Sequence, residues 1–229
     1  YSDYEKLEQK FINARLSVDL MLKLESFIHD HTYPLAVRSS SLLEDSQYQP
    51  LSGTYETIML PNNSKTSKDR LTKLVIAIKR VFASTFKGEA KSLLQNTAHR
   101  IEEEKMAVII QEVVGKPYTS KRFYPTISGV LKSINYYPVS YMKRDEGVAY
   151  LALGFGRTIV DGEKCLFISP KYPTIIPQFY SPKASRQNSQ VQFYAIDLNS
   201  RKSSREDLSA FPLKYAEEDG SFKSVGSVI

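Results

Sequence analysis

The chain contains a single cysteine, Cys165. One thiol excludes an intrachain disulfide and any zinc site built from several cysteines. It fits a reducing compartment, and a cytoplasmic location is expected. No apolar run approaches the roughly 18 residues a membrane-spanning helix requires, so no membrane partner is expected. Lys and Arg are scattered rather than blocked, and no zinc-finger, helix-turn-helix or RNA-binding aromatic signature occurs. Direct nucleic-acid binding is therefore not expected either. The phosphate-binding pattern G-x-x-x-x-G-K-[ST] is missing. Gly154-Phe155-Gly156 is followed by Ile159 where a dinucleotide fingerprint needs its third glycine. No G-x-S-x-G elbow supports a serine hydrolase. The three histidines, His29, His31 and His99, have no partners at metal-ligand spacing, and no metal site is assigned to them. Residue 1 is Tyr and no charged-then-apolar leader opens the chain, which reads as an excised piece of a longer protein.

What is present is an ordinary globular mixture. Of 229 residues, 41% are hydrophobic and 24% charged, enough apolar side chain for one large domain or two small ones. The net charge of +6 favours acidic partners such as nucleotides, the alternative being a well-solvated surface with excess Lys.

The pattern of apolar residues predicts the elements. Leu7, Phe11, Ala14, Val18, Met21, Leu22 and Ile28 recur at three- and four-residue steps, so one amphipathic helix is expected over the first thirty residues, stopping before Pro34. A short strand, Leu35-Ala36-Val37, runs into Arg38-Ser39-Ser40-Ser41. An extended segment follows over 51–60. A long helix is expected over 68–96, capped by Thr66 or Ser67 and buried through Leu71, Leu74, Val75, Ile78, Val81, Phe82 and Phe86. Residues 106–114 read as the strongest strand, ended by Gly115-Lys116-Pro117. Further strands are expected over 127–134, 148–153, 165–168 and 191–196. The Pro-, Ser- and Lys-rich stretch after Pro170 otherwise reads as irregular.

Two polar constellations carry chemistry. Arg38 at a strand end presents a guanidinium fork that matches phosphate oxygens, with the following hydroxyls as extra donors. By composition alone it could equally pair with Glu44 or Asp45 and hold its loop. Gln111-Glu112 closes an apolar strand. Gln111 either faces water at an edge or hydrogen-bonds an adenine edge while Val113 and Val114 pack on the ring.

Ala36-Val37-Arg38-Ser39-Ser40-Ser41 with Glu44-Asp45, then Ser52-Gly53-Thr-Tyr-Glu-Thr57, resembles the nucleotide-binding domain of the pyruvate phosphate dikinase and phosphoenolpyruvate synthase family. The order continues through 78–86, Met106–Val114, Ser128-Gly129-Val130 with Asn135 and Pro138, and Gly154–Gly162. The resemblance spans residues 34 to 170. It implies an α/β (α+β) fold of the ATP-grasp-like kind, with mixed sheets and packed helices. It divides the chain into a helical segment 1–33, a nucleotide-binding core 34–180 and an extension 181–229. It implies ATP as ligand. Arg38 matches the arginine on the nucleotide phosphates, and is both a binding and a catalytic residue in that scheme. Gly53 and Thr57 match the loop over the phosphates, and Gln111 the glutamine beside the base. The implied activity passes phosphate from ATP to a histidine on a separate phosphohistidine domain, with a pyruvate or phosphoenolpyruvate domain elsewhere in the full-length chain.

Departures from the family pattern qualify this. The family's Gly-Leu-Gly-Glu places an acid where this chain has Arg157, and a cation cannot ligate magnesium, which wants oxygen ligands. Arg157 then either faces the phosphates or pairs with Asp161 or Glu163. The early Gly-Gly-Lys-Gly lysine and the later Gln and Arg are not found. The isolated chain is therefore expected to be inactive. The alternative reading is a degenerate, non-catalytic module with a regulatory or assembly role.

Overall fold

Leu35, Val37, Ile58 and Leu60 alternate along two strands and all point to one side, which is what places a helix layer there. The computed structural model describes residues 2–41, 55–88, 105–199 and 208–226. These divide into two compact units, the chain up to Val113 and the chain from Val114. The division falls inside the expected 34–180 core. The architecture is α+β, with helices packed on antiparallel sheets, as the resemblance implies. Among the described residues no helix is long and apolar enough to cross a membrane.

In the first unit the strands β1 (Leu35–Ser41), β2 (Thr57–Leu60) and β3 (Met106–Glu112) pair antiparallel in the order β2-β1-β3. The helices α1 (Ser2–Asn13), α2 (Val18–Asp30) and α3 (Ser67–Ser84) accompany them. The expected single N-terminal helix is thus two. The chain breaks over residues 14–17, and the Ser17 hydroxyl accepts the Leu20 N–H to start α2 afresh. The break resets the helical phase, so Val18 and Leu22 of the expected stripe are 76% and 61% exposed, Leu24 is buried in their place, and Ile28 is buried as expected.

The helix expected over 68–96 ends early, at Ser84. Thr66 caps its start as expected, accepting from the Asp69 N–H, and Leu74, Ala77, Ile78 and Val81 fill the core. Its end has a local cause. The Ser84 hydroxyl donates back to the Val81 carbonyl and accepts the Glu56 N–H, offering the backbone an alternative to another helical turn. Phe86 therefore lies beyond the helix, 41% exposed. Residues 89–96 lie outside the described residues. Arg70, buried on α3, donates to the Ile28 carbonyl at 2.9 Å and the Ser64 carbonyl at 3.1 Å, tying the end of α2 to the start of α3.

The second unit holds two sheets. β4 (Lys116–Tyr118), β5 (Arg122–Tyr124), β9 (Gln192–Asp197) and β10 (Leu208–Pro212) form one, in the order β10-β9-β5-β4. β6 (Ser128–Lys132), β7 (Val148–Ala152) and β8 (Leu166–Ile168) form the other, with β7 central. β4, β5 and β10 were not expected. Pro117, expected to stop a strand, sits instead in β4 at a sheet edge, where its missing N–H costs no internal ladder bond. Tyr118, Tyr124, Leu153, Phe193, Ala195 and Ala216 make the core.

The C-terminal stretch expected to be irregular carries β10 and the short helices Lys214–Glu218 and Ser221–Gly226. It is anchored by side chains from β5. Arg122 reaches Asp219 at 3.2 Å with both side chains buried. The Tyr124 hydroxyl donates to Asp219 at 2.8 Å, and the Ser221 hydroxyl to the same carboxylate at 2.7 Å. Burial pushes the Asp219 carboxyl up, but the hydrogen bonds from Ser221, Tyr124 and Arg122 outweigh it and hold it below the ordinary carboxylate value. Burial pushes the Tyr124 phenol well up.

Candidate functional site

Register decides which side chains of the first sheet can act together. Arg38 lies opposite Thr57 of β2 and opposite Ile109 of β3. Ala36, two residues before, lies opposite Met59 and Gln111. Directly opposed residues of an antiparallel pair point to the same face. Arg38, Thr57 and Gln111 therefore share one face of the sheet, with Leu35 and Val37 turned to the helix side. Arg38 and Thr57 are direct cross-strand neighbours, with Cβ atoms about 5 Å apart in such pairs, and Gln111 is the diagonal neighbour of Arg38 at about 7–8 Å. All three are exposed.

The same alternation corrects one expectation. β1 runs on to Ser41, so Arg38 sits mid-strand rather than at a strand end. Ser39 and Ser41 consequently face the helix side and are buried, and only Ser40 shares the face of Arg38. Of the two valines expected beside a base, Val113 is buried and donates its N–H to the Pro34 carbonyl, whereas Val114 is 80% exposed. Gly53, Glu44 and Asp45 lie outside the described residues.

The glycine segment sits in the second unit. Gly154 adopts φ +82°, and a Cβ there would come within 2.7 Å of the Tyr194 carbonyl oxygen. Glycine is thus required both by conformation and by the close approach of β9. Side chains far along the sequence clamp the turn. Ser128 donates to the Gly154 carbonyl at 2.6 Å, and the Phe155 N–H donates to the Tyr194 carbonyl at 3.0 Å. Gln190 accepts the Leu153 N–H at 2.9 Å and donates to the Leu153 carbonyl at 3.0 Å. Nothing in local sequence marks the clamping role of Gln190 or Ser128, because each reaches a backbone group 37 or 26 positions away.

Arg157 pairs with Asp161 at 3.0 Å and lies over the Tyr194 ring, 5.0 Å from its centre. Behind that ring, Glu163 accepts from the Tyr194 hydroxyl at 2.6 Å and from Gln192. That bond to Glu163, then burial, pushes the Tyr194 phenol up. Pairing with Asp161 is one of the arrangements expected for Arg157. Among the described residues, no group of three or more His, Cys, Asp or Glu side chains could hold a metal ion. Arg157 is a cation, and the described residues around it do not fit a magnesium site.

Residues 1–203 match the model of the pyruvate phosphate dikinase AMP/ATP-binding domain. The chain is also 29% identical over 161 residues to an uncharacterized phosphotransferase, YvkC, of Bacillus subtilis (strain 168), an alignment covering 69% of this chain and 17% of that protein. The chain thus spans less than a fifth of that relative's length. The family match covers most of the chain, and the shared face of Arg38, Thr57 and Gln111 lies within it. The chain belongs to the pyruvate phosphate dikinase AMP/ATP-binding domain family.

Proposed function

We propose that this chain is the nucleotide-binding part of a phosphotransferase that passes a phosphoryl group from ATP to a histidine carried on a separate domain. The observation that supports this best is the common face of Arg38, Thr57 and Gln111 inside a family-matched AMP/ATP-binding domain. Phosphoryl transfer asks the protein mainly for positioning and charge stabilisation. In this reading the Arg38 guanidinium clamps phosphate oxygens, Thr57 beside it adds a hydroxyl donor, Gly53 lets the loop backbone approach, and Gln111 reads the base. The acceptor histidine and the pyruvate or phosphoenolpyruvate site belong to other domains. Magnesium, if it takes part, brings its oxygen ligands from the nucleotide and water.

One observation favours a second reading, a non-catalytic module that keeps the fold for regulation or assembly. Arg157 occupies the place of the family's acid and its charge is engaged by Asp161. A single calorimetric series separates the two. ATP is titrated into the wild type, Arg38→Ala and Arg157→Ala, each with magnesium and with a chelator. Removing Arg38 deletes a charge-assisted phosphate contact and is expected to weaken binding about ten- to a hundredfold. Arg157→Ala is expected to change affinity little. Equal affinities for the wild type and Arg38→Ala would take Arg38 out of the site and leave the non-catalytic module.

A further inference from the structure

The second unit carries a cavity of about 450 Å³, open to solvent on one side, that the nucleotide reading does not use. Leu151 and Leu153 at the end of β7, Leu166 and Ile168 of β8, and Ile176 and Phe179 beyond it form its apolar walls. Its volume falls in the range of roughly 300–1,000 Å³ typical of small-molecule sites. Among the described residues, no Asp, Glu, Lys, Arg or His lines it.

The polar side chains that do line it are turned to the protein. Gln190 spends its carbonyl on the Leu153 N–H and its amide on the Leu153 and Gln192 carbonyls. Asn188 donates to the Gln178 carbonyl, and Ser189 to the Ser185 carbonyl. A charged ligand would be stripped of water here without a counter-charge, which is strongly unfavourable. Ordered water needs two to four polar partners and would find few. Covering apolar wall that solvent otherwise wets is favourable in proportion to the apolar area removed from water, so an apolar occupant is favoured. Ile127 and Phe222, each 45% exposed, mark the way in from solvent.

We propose that this cavity is a binding site for a neutral, largely apolar small molecule of aromatic or branched aliphatic character. The site is built wholly from residues after Val114. It is independent of the proposed chemistry at Arg38.

The test uses indole and naphthalene as probes on the 229-residue chain, with isotope-labelled Ile and Leu methyl groups followed by NMR. Saturable shifts are expected at Ile127, Leu151, Leu166 and Ile168, with none at Leu35 or Leu74 in the first unit. Leu166→Trp, which fills the space, and Ile176→Asp, which places a carboxylate on its half-exposed wall, should each reduce affinity at least tenfold. If Leu166→Trp fails to fold, Ile176→Asp decides alone. Excess ATP should leave probe affinity unchanged. Absence of saturable shifts, shifts spread over both units, or full affinity in the folded variants overturns the proposal. Competition by ATP also overturns it, by assigning the cavity to the nucleotide.

Discussion

Gln190 holds Leu153 at both ends of its peptide unit, accepting its N–H at 2.9 Å and donating to its carbonyl at 3.0 Å. Leu153 is itself buried. A buried backbone group that loses its partner costs about 1–3 kcal/mol. Gln190→Leu, which keeps the bulk and removes the hydrogen bonds, should therefore lower unfolding free energy by at least that amount in urea titration. Gln9→Ala, whose exposed amide meets Asn13, should change stability by less than about 0.5 kcal/mol.

Gly154→Ala adds a methyl group at φ +82° that would meet the Tyr194 carbonyl at 2.7 Å. Both the left-handed conformation and the contact oppose it, and a loss of about 1–3 kcal/mol is expected. Gly162→Ala provides the control, since φ there is +71° but nothing lies within 4 Å of the added carbon. It should bear only the conformational part of the cost. Equal midpoints for the two variants in thermal melts would show that the approach of β9 does not matter.

The Asp219 carboxyl is held below its ordinary value, so its contribution is present above the unfolded-state pKa of about 3.9 and fades as pH falls through the folded-state value. Unfolding free energy of the wild type should accordingly drop on acidification below about pH 4. Asp219→Asn leaves Arg122 buried without its counter-charge, which typically costs about 3–5 kcal/mol near neutral pH. The acid-dependent part of the slope due to this group should then be absent, a result read from urea titrations repeated across pH.

If Gln111 reads the base, Gln111→Leu should erode discrimination between ATP and GTP more than it weakens binding of triphosphate as such. Loss of a neutral hydrogen bond corresponds to about 0.5–1.5 kcal/mol, or two- to tenfold in the affinity ratio. Competition binding with both nucleotides measures it. A ratio unchanged from the wild type would move Gln111 to the solvent-facing edge role.

Periodicity alone determined the interior of the strands and of the long helix. Val37, Leu74, Ile78 and Val81 are buried where their spacing puts them, because a 2.0- or 3.6-residue repeat leaves one face for the core. The ordered family-like segments likewise determined membership. Where elements end was not legible in the same way. Ser17 restarts a helix and Ser84 stops one through hydroxyl bonds whose partners depend on neighbouring backbone. β5 is only three residues long, and β10 has Pro212 at its end, so each is stabilised as a strand by pairing with β9 rather than by its own pattern. Tertiary structure alone decided the rest: the cross-strand register that sets Arg38 beside Thr57 and near Gln111, the turning of Ser39 away from them, and the hold of Ser128 and Gln190 on the Leu153-Gly154 turn. These are relations between residues brought together by pairing and packing, and hydrogen bonds across such distances leave no repeat in the chain for sequence to display.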